Sequence, residues 1–257
     1  MANTVIACFK WVCDEADIVI DSSLRPDFSR ARSKISDYDR QAIEEAVQVA
    51  STLGGNSVGL TLGAASAAGS LKDALSRGLD EVCLIDCGDE APTDYTVVTE
   101  ALGKAVGEFS DVALVICAEG SSDLYGRQTA SRLGAILDWP TITGVVNTEI
   151  EGTTLRVKRR LEDSFEILTV QFPAVISVLP EINQPSLPGM KAILEAKKKP
   201  QSILAFADLG VSPMASTEVV DVVGYQSNRK QIVFDSADDA ANVVQLVEAL
   251  RKEGVLS

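Results

Sequence analysis

Short apolar runs alternate with helix-like segments through the first half of the chain, and this alternation limits the possible folds more than any other feature. The runs cover residues 3–12, 57–63, 81–86 and 111–118 and are rich in Val, Ile and Leu. A segment with helical periodicity follows each of them. Near-continuous apolar strands separated by amphipathic helices are typical of a parallel sheet covered on both faces. The sequence therefore predicts an α/β fold with a mostly parallel sheet, which would bind ligands outside the carboxyl ends of its strands.

Four helices are predicted among these strands. The clearest follows the first strand, with Ser36 or Asp37 as candidate N-cap and with Gly54 and Gly55 at its end. Its apolar stripe consists of Ala42, Ile43, Ala46, Val47 and Ala50. The other three helices are predicted over about 66–77, 94–108 and 123–138.

The periodicity changes after residue 142. Residues 142–179 predict strands with turns at Glu151-Gly152 and at 162–164, so the sheet is expected to continue in antiparallel form. Residues 201–234 predict an irregular tail, and an amphipathic helix follows it. These changes divide the chain into three parts: an α/β domain (1–180), a short segment (181–200), and a C-terminal arm (201–257) that is expected to dock on another subunit.

Composition excludes several classes of function. The 257 residues carry a formal net charge of −14 and include no histidine. Nucleic acid is not an expected ligand, because its phosphates need a dominant basic face. Histidine is excluded as a metal ligand or general base. Five cysteines without CxxC spacing predict buried, reduced thiols and no metal site. Neither a signal peptide nor a membrane span is predicted, so a cytoplasmic protein is expected.

The loop after the fourth strand is the first candidate site. In "ICAEGSSDLYGRQTA", Ser122 and Asp123 stand where the fourth helix is predicted to begin. Free backbone N–H groups and the helix dipole favour an anion at such a place. A plain N-cap by either residue explains the same pattern. The sequence contains neither GxGxxG nor a Walker lysine, the two standard phosphate fingerprints.

No set of residues forces a catalytic interpretation. Lys10 follows the first strand and is a candidate for contact with a phosphate or carboxylate, or else is simply solvated. In "RVKRR", Arg156, Lys158 and Arg160 share one strand face, which is either solvated or pairs with acidic residues of a partner. The residues alone therefore indicate an α/β domain with a nucleotide site and an interaction arm.

Several longer stretches resemble the β subunit of electron-transfer flavoprotein, in particular its Fix-type branch. They are "ACFKWVCDEADI", "SKISDYDRQAIEEAVQVA", "SRGLDEVCLI", "LRVKRRLEDSFEILTVQFPAVISV", "EINQPSLPGMKAILEAKKKP" and "ADLGV". The resemblance spans nearly the whole chain. It implies an electron carrier, rather than an enzyme that makes bonds on its own, in a heterodimer whose α subunit holds most of a redox-active FAD.

The resemblance also implies a second nucleotide in this chain, which is AMP in ordinary members and a second FAD in electron-bifurcating ones. The positions that match the family's nucleotide site are Cys8, Ser36, Asp37, Tyr38, Asp39, Leu62, Gly63, Ser122, Asp123, Leu124, Tyr125, Gly126, Arg127, Gln128 and Thr129. Two departures affect this site. The family's "GRQAIDGD" loop is "AEGSSDLY" here, and its "NP" before the first helix is "SD". Tyr38 keeps an aromatic ring near the expected α-subunit flavin, although an exposed tyrosine is the alternative.

The segment 181–200 matches the loop with which this family docks on acyl-CoA dehydrogenases. Met190 stands where a leucine is usual, and a flexible thioether suits an adaptable apolar anchor. The expected contact residues are Leu187, Met190, Ile193 and Lys197. The lysines at 197–199 either favour the helix dipole or are only solvated.

Three functions remain open. The first is an electron-carrier subunit that works with an acyl-CoA dehydrogenase or related acceptor. The second is an electron-bifurcating subunit whose own FAD oxidises NADH, as in anaerobic metabolism. The third is a stand-alone nucleotide-binding sensor, against which the long arm argues.

Overall fold

The computed structural model describes residues 3–211, 217–226 and 229–256. Its strands are β1 (Thr4–Phe9), β2 (Trp11–Cys13), β3 (Val19–Ile20), β4 (Pro26–Asp27), β5 (Ser33–Ile35), β6 (Asn56–Gly63), β7 (Glu81–Asp86), β8 (Val112–Ala118), β9 (Thr141–Glu151), β10 (Thr154–Arg160), β11 (Phe165–Gln171), β12 (Ala174–Val178) and β13 (Gln201–Ala205). Its α-helices are α1 (Asp39–Leu53), α2 (Gly69–Ser76), α3 (Tyr95–Val106), α4 (Thr129–Leu137), α5 (Met190–Ala196) and α6 (Asp239–Lys252).

Nine strands form one sheet in the order β11-β10-β9-β12-β8-β1-β6-β7-β13. Every pairing from β9 to β13 along this order is parallel, and only the β9-β10 and β10-β11 pairings are antiparallel. The predicted α/β fold with a mostly parallel sheet is confirmed. The strands β2 with β5 and β3 with β4 form two small antiparallel pairs outside this sheet.

The central strands β12, β8, β1, β6 and β7 are buried on both faces of the sheet, which explains the near-continuous apolar runs. Strand β1 shows the arrangement, because its side chains alternate between the faces. Val5 and Ala7 pack with α1 and α2, whereas Ile6 and Cys8 pack with α3 and α4. Most of the core therefore lies in the first 180 residues.

Helix α1 begins later than predicted, and neither candidate caps it. Its first residue is Asp39, and the side chain of the N-cap residue, Tyr38, makes no capping hydrogen bond. The Ser36 hydroxyl instead accepts a hydrogen bond from the Ser122 backbone N–H (3.2 Å), and the Asp37 carboxylate forms ion pairs with two basic side chains. The end of the helix agrees with the prediction, since Gly54 has the left-handed φ of 62° that glycine favours.

Helix α4 begins at Thr129, six residues after the predicted start. Residues 120–128 form a loop instead, in which Tyr125 and Arg127 have φ angles of 45° and 57°. Such angles cannot continue a right-handed helix. The prediction of a helix N-terminus at Ser122 or Asp123 is therefore wrong.

The two predicted turns after residue 142 are confirmed. Gly152 turns between β9 and β10 with a φ of 64°, and the Leu161 N–H donates to the Ser164 carbonyl (2.8 Å) between β10 and β11. The predicted antiparallel continuation is wrong for strand β12. It inserts between β8 and β9 and runs parallel to both, because its five buried residues need covering on both faces.

The predicted irregular tail begins instead with an ordered strand, because β13 pairs with β7 at the edge of the sheet. Farther along, the Thr217 N–H and hydroxyl donate to Asp94 (2.8 and 2.6 Å), and the Gly224 N–H donates to the Leu24 carbonyl (2.7 Å). The part of the tail prediction that falls on 212–216 and 227–228 lies outside the described residues. The predicted final helix is α6, in which no residue is buried.

The thiols follow the prediction in part. All five cysteines are free, and Cys8, Cys83 and Cys117 are buried as expected. Cys13 is exposed, because the two-stranded pair β2-β5 lies outside the main sheet. None of the helices in the described parts of the chain is both long and apolar enough to cross a membrane.

Candidate functional site

A cleft lies at the carboxyl ends of β1, β6 and β8. The chain runs from β1 outward to β6 and β7 and then crosses to β8 on the other side of β1, so the strand order reverses here. Ligands of open α/β sheets bind at such reversals. The cleft is lined by Cys8, Phe9, Lys10, Asp39, Leu62, Ala91, Pro92, Thr93, Tyr95, Val98, Leu102, Cys117, Ala118, Gly120, Ser121, Leu124, Gly126, Arg127 and Thr129.

Lys10 connects two carboxylates in this cleft. Its backbone N–H donates to Asp39 Oδ2 (2.8 Å), and its Nζ lies 2.5 Å from Asp123 Oδ2. The other cationic side chain that lines the cleft, Arg127, forms an ion pair with Glu119. The Lys10 ammonium is two-fifths exposed, so it is accessible to an incoming anion.

The two carboxylates have opposite electrostatic environments. Burial is the main cause that raises the pKa of Asp39 to about 7, and the nearby Asp123 charge adds to it, while Lys10 opposes it. Burial also acts to raise the pKa of Asp123, but hydrogen bonds from Lys10 and Ser121 outweigh that effect and lower it. Asp123 is therefore ionised at neutral pH, whereas Asp39 is divided between its two forms.

The loop 120–128 is held closely against its neighbours. A Cβ on Gly126 would lie 2.1 Å from the Tyr95 Oη, which accepts the Gly126 N–H (3.1 Å). A Cβ on Gly120 would lie 2.7 Å from the Tyr125 ring. That ring lies 5.1 Å from the Tyr38 ring, in a tilted arrangement. The loop is thus fixed in one position over the cleft.

The Tyr125 hydroxyl donates to Glu119 (2.7 Å), and this hydrogen bond is the main cause that raises the pKa of Tyr125 to about 12. At the floor of the cleft, a hydrogen bond to Cys8 and burial raise the pKa of the Cys117 thiol well above its usual value. Both groups are therefore neutral at physiological pH, and neither provides a nucleophile.

Comparison with known families identifies the family of this chain. Residues 27–209, more than half of the chain, match the family model described as "Electron transfer flavoprotein domain". The chain belongs to the electron transfer flavoprotein family. Members of this family generally bind flavin, and the family implies an electron-transfer flavoprotein assembly.

The residues of the cleft fit the adenine-nucleotide part of such a cofactor. Leu62, Pro92, Val98 and Leu102 form an apolar wall suited to a base, and Lys10 provides a cation suited to a phosphate. The Ser122 Oγ is buried at the base of the loop and has no hydrogen-bond partner among the residues that the structure describes. A buried hydroxyl without a partner indicates a ligand atom or a water at that point.

Most of the sequence-predicted residues lie at or beside the cleft. Those that line it are Cys8, Asp39, Leu62, Leu124, Gly126, Arg127 and Thr129. Those beside it, in the loop or against it, are Ser36, Tyr38, Ser122, Asp123, Tyr125 and Gln128. Two lie apart: Asp37 pairs with Lys34 and Arg40, and the Gly63 carbonyl accepts the Cys87 N–H (2.9 Å).

The sequence-based site omitted one whole wall. Residues 91–93 and Tyr95, Val98 and Leu102 come from the loop before α3 and from α3 itself. Lys10 was a candidate without an assigned partner. The signal that could have identified this wall is that the loop follows β7, the parallel neighbour of β6, so it leaves the sheet at the same edge as the cleft.

The basic strand pairs with acids of its own chain. Arg156 pairs with Glu149 (2.7 Å), Arg160 pairs with Glu181, and Lys158 Nζ lies 4.3 Å from the centre of the Phe165 ring. A second groove runs beside the first cleft and is lined by Glu119, Arg127, Ser131, Thr143, Gly144, Arg159, Arg160, Leu161, Glu162, Ser177 and Leu179. Among the described residues, no cluster of three or more metal-ligating side chains occurs.

The segment 181–200 presents its apolar residues to solvent. Leu187 and Met190 are 88% and 75% exposed, and Ile193 is 46% exposed. Lys197 ends α5 and is exposed, but Lys199 is not simply solvated, because its Nζ donates to the Leu79 carbonyl (2.5 Å).

Proposed function

We propose that this chain is the β subunit of a heterodimeric electron transfer flavoprotein. In this proposal an α subunit holds most of the redox-active FAD, and the complex passes electrons between a donor and an acyl-CoA dehydrogenase or related acceptor. The flavin supplies the electron-carrying chemistry when bound. The residues of this chain hold the second nucleotide and bring the redox partner close enough for electron transfer.

The observation that carries the proposal is helix α6. Val243, Val244 and Leu246 are 59%, 55% and 44% exposed, although the helix contains enough apolar residues to bury one face. An apolar face that the described part of its own chain leaves exposed is a feature of an interaction surface. Because the chain belongs to this family, we infer that the α subunit covers the apolar face of α6.

Co-expression with the α subunit tests this inference. Val243→Asp or Leu246→Asp places a charge on the apolar face of α6, so we expect loss of the heterodimer in size-exclusion chromatography with light scattering. Gln245→Asp adds the same charge on the opposite side of the helix and is the matched control. A stable, monomeric wild-type chain that does not bind the α subunit would instead support the stand-alone sensor.

The cleft at β1 and β8 is the proposed site of the second nucleotide. Its apolar wall, the Lys10 ammonium and the partnerless Ser122 hydroxyl support this assignment. Gel-filtered protein should bind AMP in isothermal titration calorimetry. Leu62→Asp places a charge in the base pocket and should abolish that binding while heterodimer formation persists.

One observation favours a larger nucleotide, and with it the bifurcating alternative. Arg127 lines both the cleft and the second groove, so the two adjoin at this residue. A dinucleotide such as FAD is long enough to reach from one into the other, whereas AMP fills the cleft alone. Nucleotide extraction from the purified heterodimer distinguishes them: two FAD support bifurcation with NADH, and one FAD with one AMP supports the simple carrier.

A further inference from the structure

Among the described residues that line the cleft, both cationic side chains already have an acidic partner. Lys10 Nζ is paired with Asp123, and the Lys10 backbone N–H donates to Asp39. The remaining cation, Arg127, is already paired with Glu119. With both carboxylates ionised, the charges of the five groups sum to −1. These groups are Lys10, Arg127, Asp39, Asp123 and Glu119. Such a cleft repels a phosphate.

The groups that face Asp39 come from four directions. Cys8 lies near the end of β1 and Lys10 just after it, Cys117 lies near the end of β8, Asp123 belongs to the loop 120–128, and Ser36 precedes α1. Asp39 is 6% exposed, and it accepts a hydrogen bond from the Lys10 backbone rather than from the ammonium. Within the described parts of the chain, no other cationic side chain is in place to neutralise Asp39 when an anion draws Lys10 away.

We propose that Lys10 is the phosphate-binding residue of this cleft, that it exchanges Asp123 for the bound anion, and that Asp39 takes up a proton when the anion binds. The proton offsets one of the negative charges that the phosphate brings: Asp39 becomes neutral, and the ammonium pairs with the phosphate in place of Asp123. This inference rests on the proposed nucleotide site. It adds Lys10 as the residue that binds the phosphate and Asp39 as the group that takes up a proton on binding.

The linkage has a definite sign. Burial already raises the pKa of Asp39 to about 7 in the free protein, and a nearby phosphate raises it further. Binding therefore takes up protons at pH values between the free and the bound pKa, and affinity falls as the pH rises through that window. One linked proton limits the fall to about tenfold per pH unit.

Calorimetry of the full chain with AMP tests the proposal near pH 7.5, where the phosphate, with a pKa of about 6, is already fully ionised. Titrations in two amine buffers with different ionisation enthalpies measure proton uptake. We expect about half a proton or more per AMP for the wild type and none for Asp39→Asn. Glu45→Gln, which alters an equally buried acid of the same helix outside the cleft, should keep the wild-type uptake.

Lys10→Met is the second variant, and we expect it to weaken AMP binding by about tenfold or more, since it removes a charge-assisted contact.

Proton uptake that is absent in the wild type, or unchanged in Asp39→Asn, overturns the proton linkage. Unchanged affinity in Lys10→Met overturns its assigned role. Failure of AMP to bind wild-type protein at pH 6 and at pH 8 contradicts the nucleotide site itself, and thus the proposed function of the cleft. If Asp39→Asn does not fold, the wild-type buffer comparison and Lys10→Met still decide the matter.

Discussion

The Asn183 side-chain amide donates a hydrogen bond to the Glu45 carboxylate (3.0 Å), and this contact fixes the start of the segment 181–200 against helix α1. The same amide also donates to the Gln41 carbonyl (3.1 Å). Glu45 is buried and accepts a further hydrogen bond from Thr148. The exposed apolar residues that follow are thus presented from a fixed base rather than from a free linker.

Asn183→Ala should weaken that base. The substitution removes two hydrogen bonds and leaves a buried carboxylate with fewer donors, so we expect a loss of about 1–3 kcal/mol in the free energy of unfolding. Urea denaturation measures it. Lys191→Ala, at an exposed position of the same segment, is the control and should change the stability by less than about 0.5 kcal/mol. Equal effects of the two variants would contradict the proposed role of Asn183.

Met190→Ala should separate docking from stability. Because Met190 is three-quarters exposed, its truncation should leave the urea midpoint nearly unchanged. As the proposed anchor, it should weaken binding to an acyl-CoA dehydrogenase by about 1–2 kcal/mol or more, measured by calorimetry with the heterodimer. Val220→Ala, at another exposed apolar position outside the segment, is the control. Unchanged binding by Met190→Ala would remove the anchor assignment.

Gly126→Ala should disrupt the loop over the cleft. The added Cβ would overlap the Tyr95 hydroxyl at 2.1 Å, so the loop must shift and the Gly126 hydrogen bond to Tyr95 must break. We expect AMP affinity to fall by tenfold or more, about 1.4 kcal/mol. Gly189→Ala has no atom within 4 Å of its added Cβ and should bind AMP normally. Wild-type affinity in Gly126→Ala would show that the loop position does not matter for binding.

Asp39 should make the protein less stable as the pH rises from about 4 to 7. Its pKa is about 7 in the folded protein and about 4 in the unfolded chain, so the unfolded state releases the proton first. Asp39→Asn should therefore stabilise the protein, on the order of 4 kcal/mol at pH 8 and about a third of that at pH 5. Urea midpoints of both proteins at the two pH values measure this. A stabilisation that does not depend on pH would mean that Asp39 does not titrate as described.

The sequence determined the parts of this fold that depend on local pattern. The apolar runs, the stripe of α1 and the turns at Gly152 and 162–164 specify strands, helices and hairpins, because side-chain periodicity and turn chemistry act over a few residues. The family motifs predicted a nucleotide site at the carboxyl ends of β1, β6 and β8. Most of the residues predicted for it lie at or beside the cleft, although Asp37 and Gly63 do not.

Only the tertiary structure decided which distant groups meet. The Ser36 hydroxyl caps no helix because the Ser122 backbone reaches it from 86 residues away. Strand β12 runs parallel inside the sheet. Strand β13, which falls in the predicted irregular tail, pairs with β7 and forms the edge of the sheet. The pKa of Asp39 depends on its burial and on Asp123, which is distant in sequence. Periodicity reports which face of an element is apolar, but pairing order and charge environment arise from contacts between elements far apart in the chain.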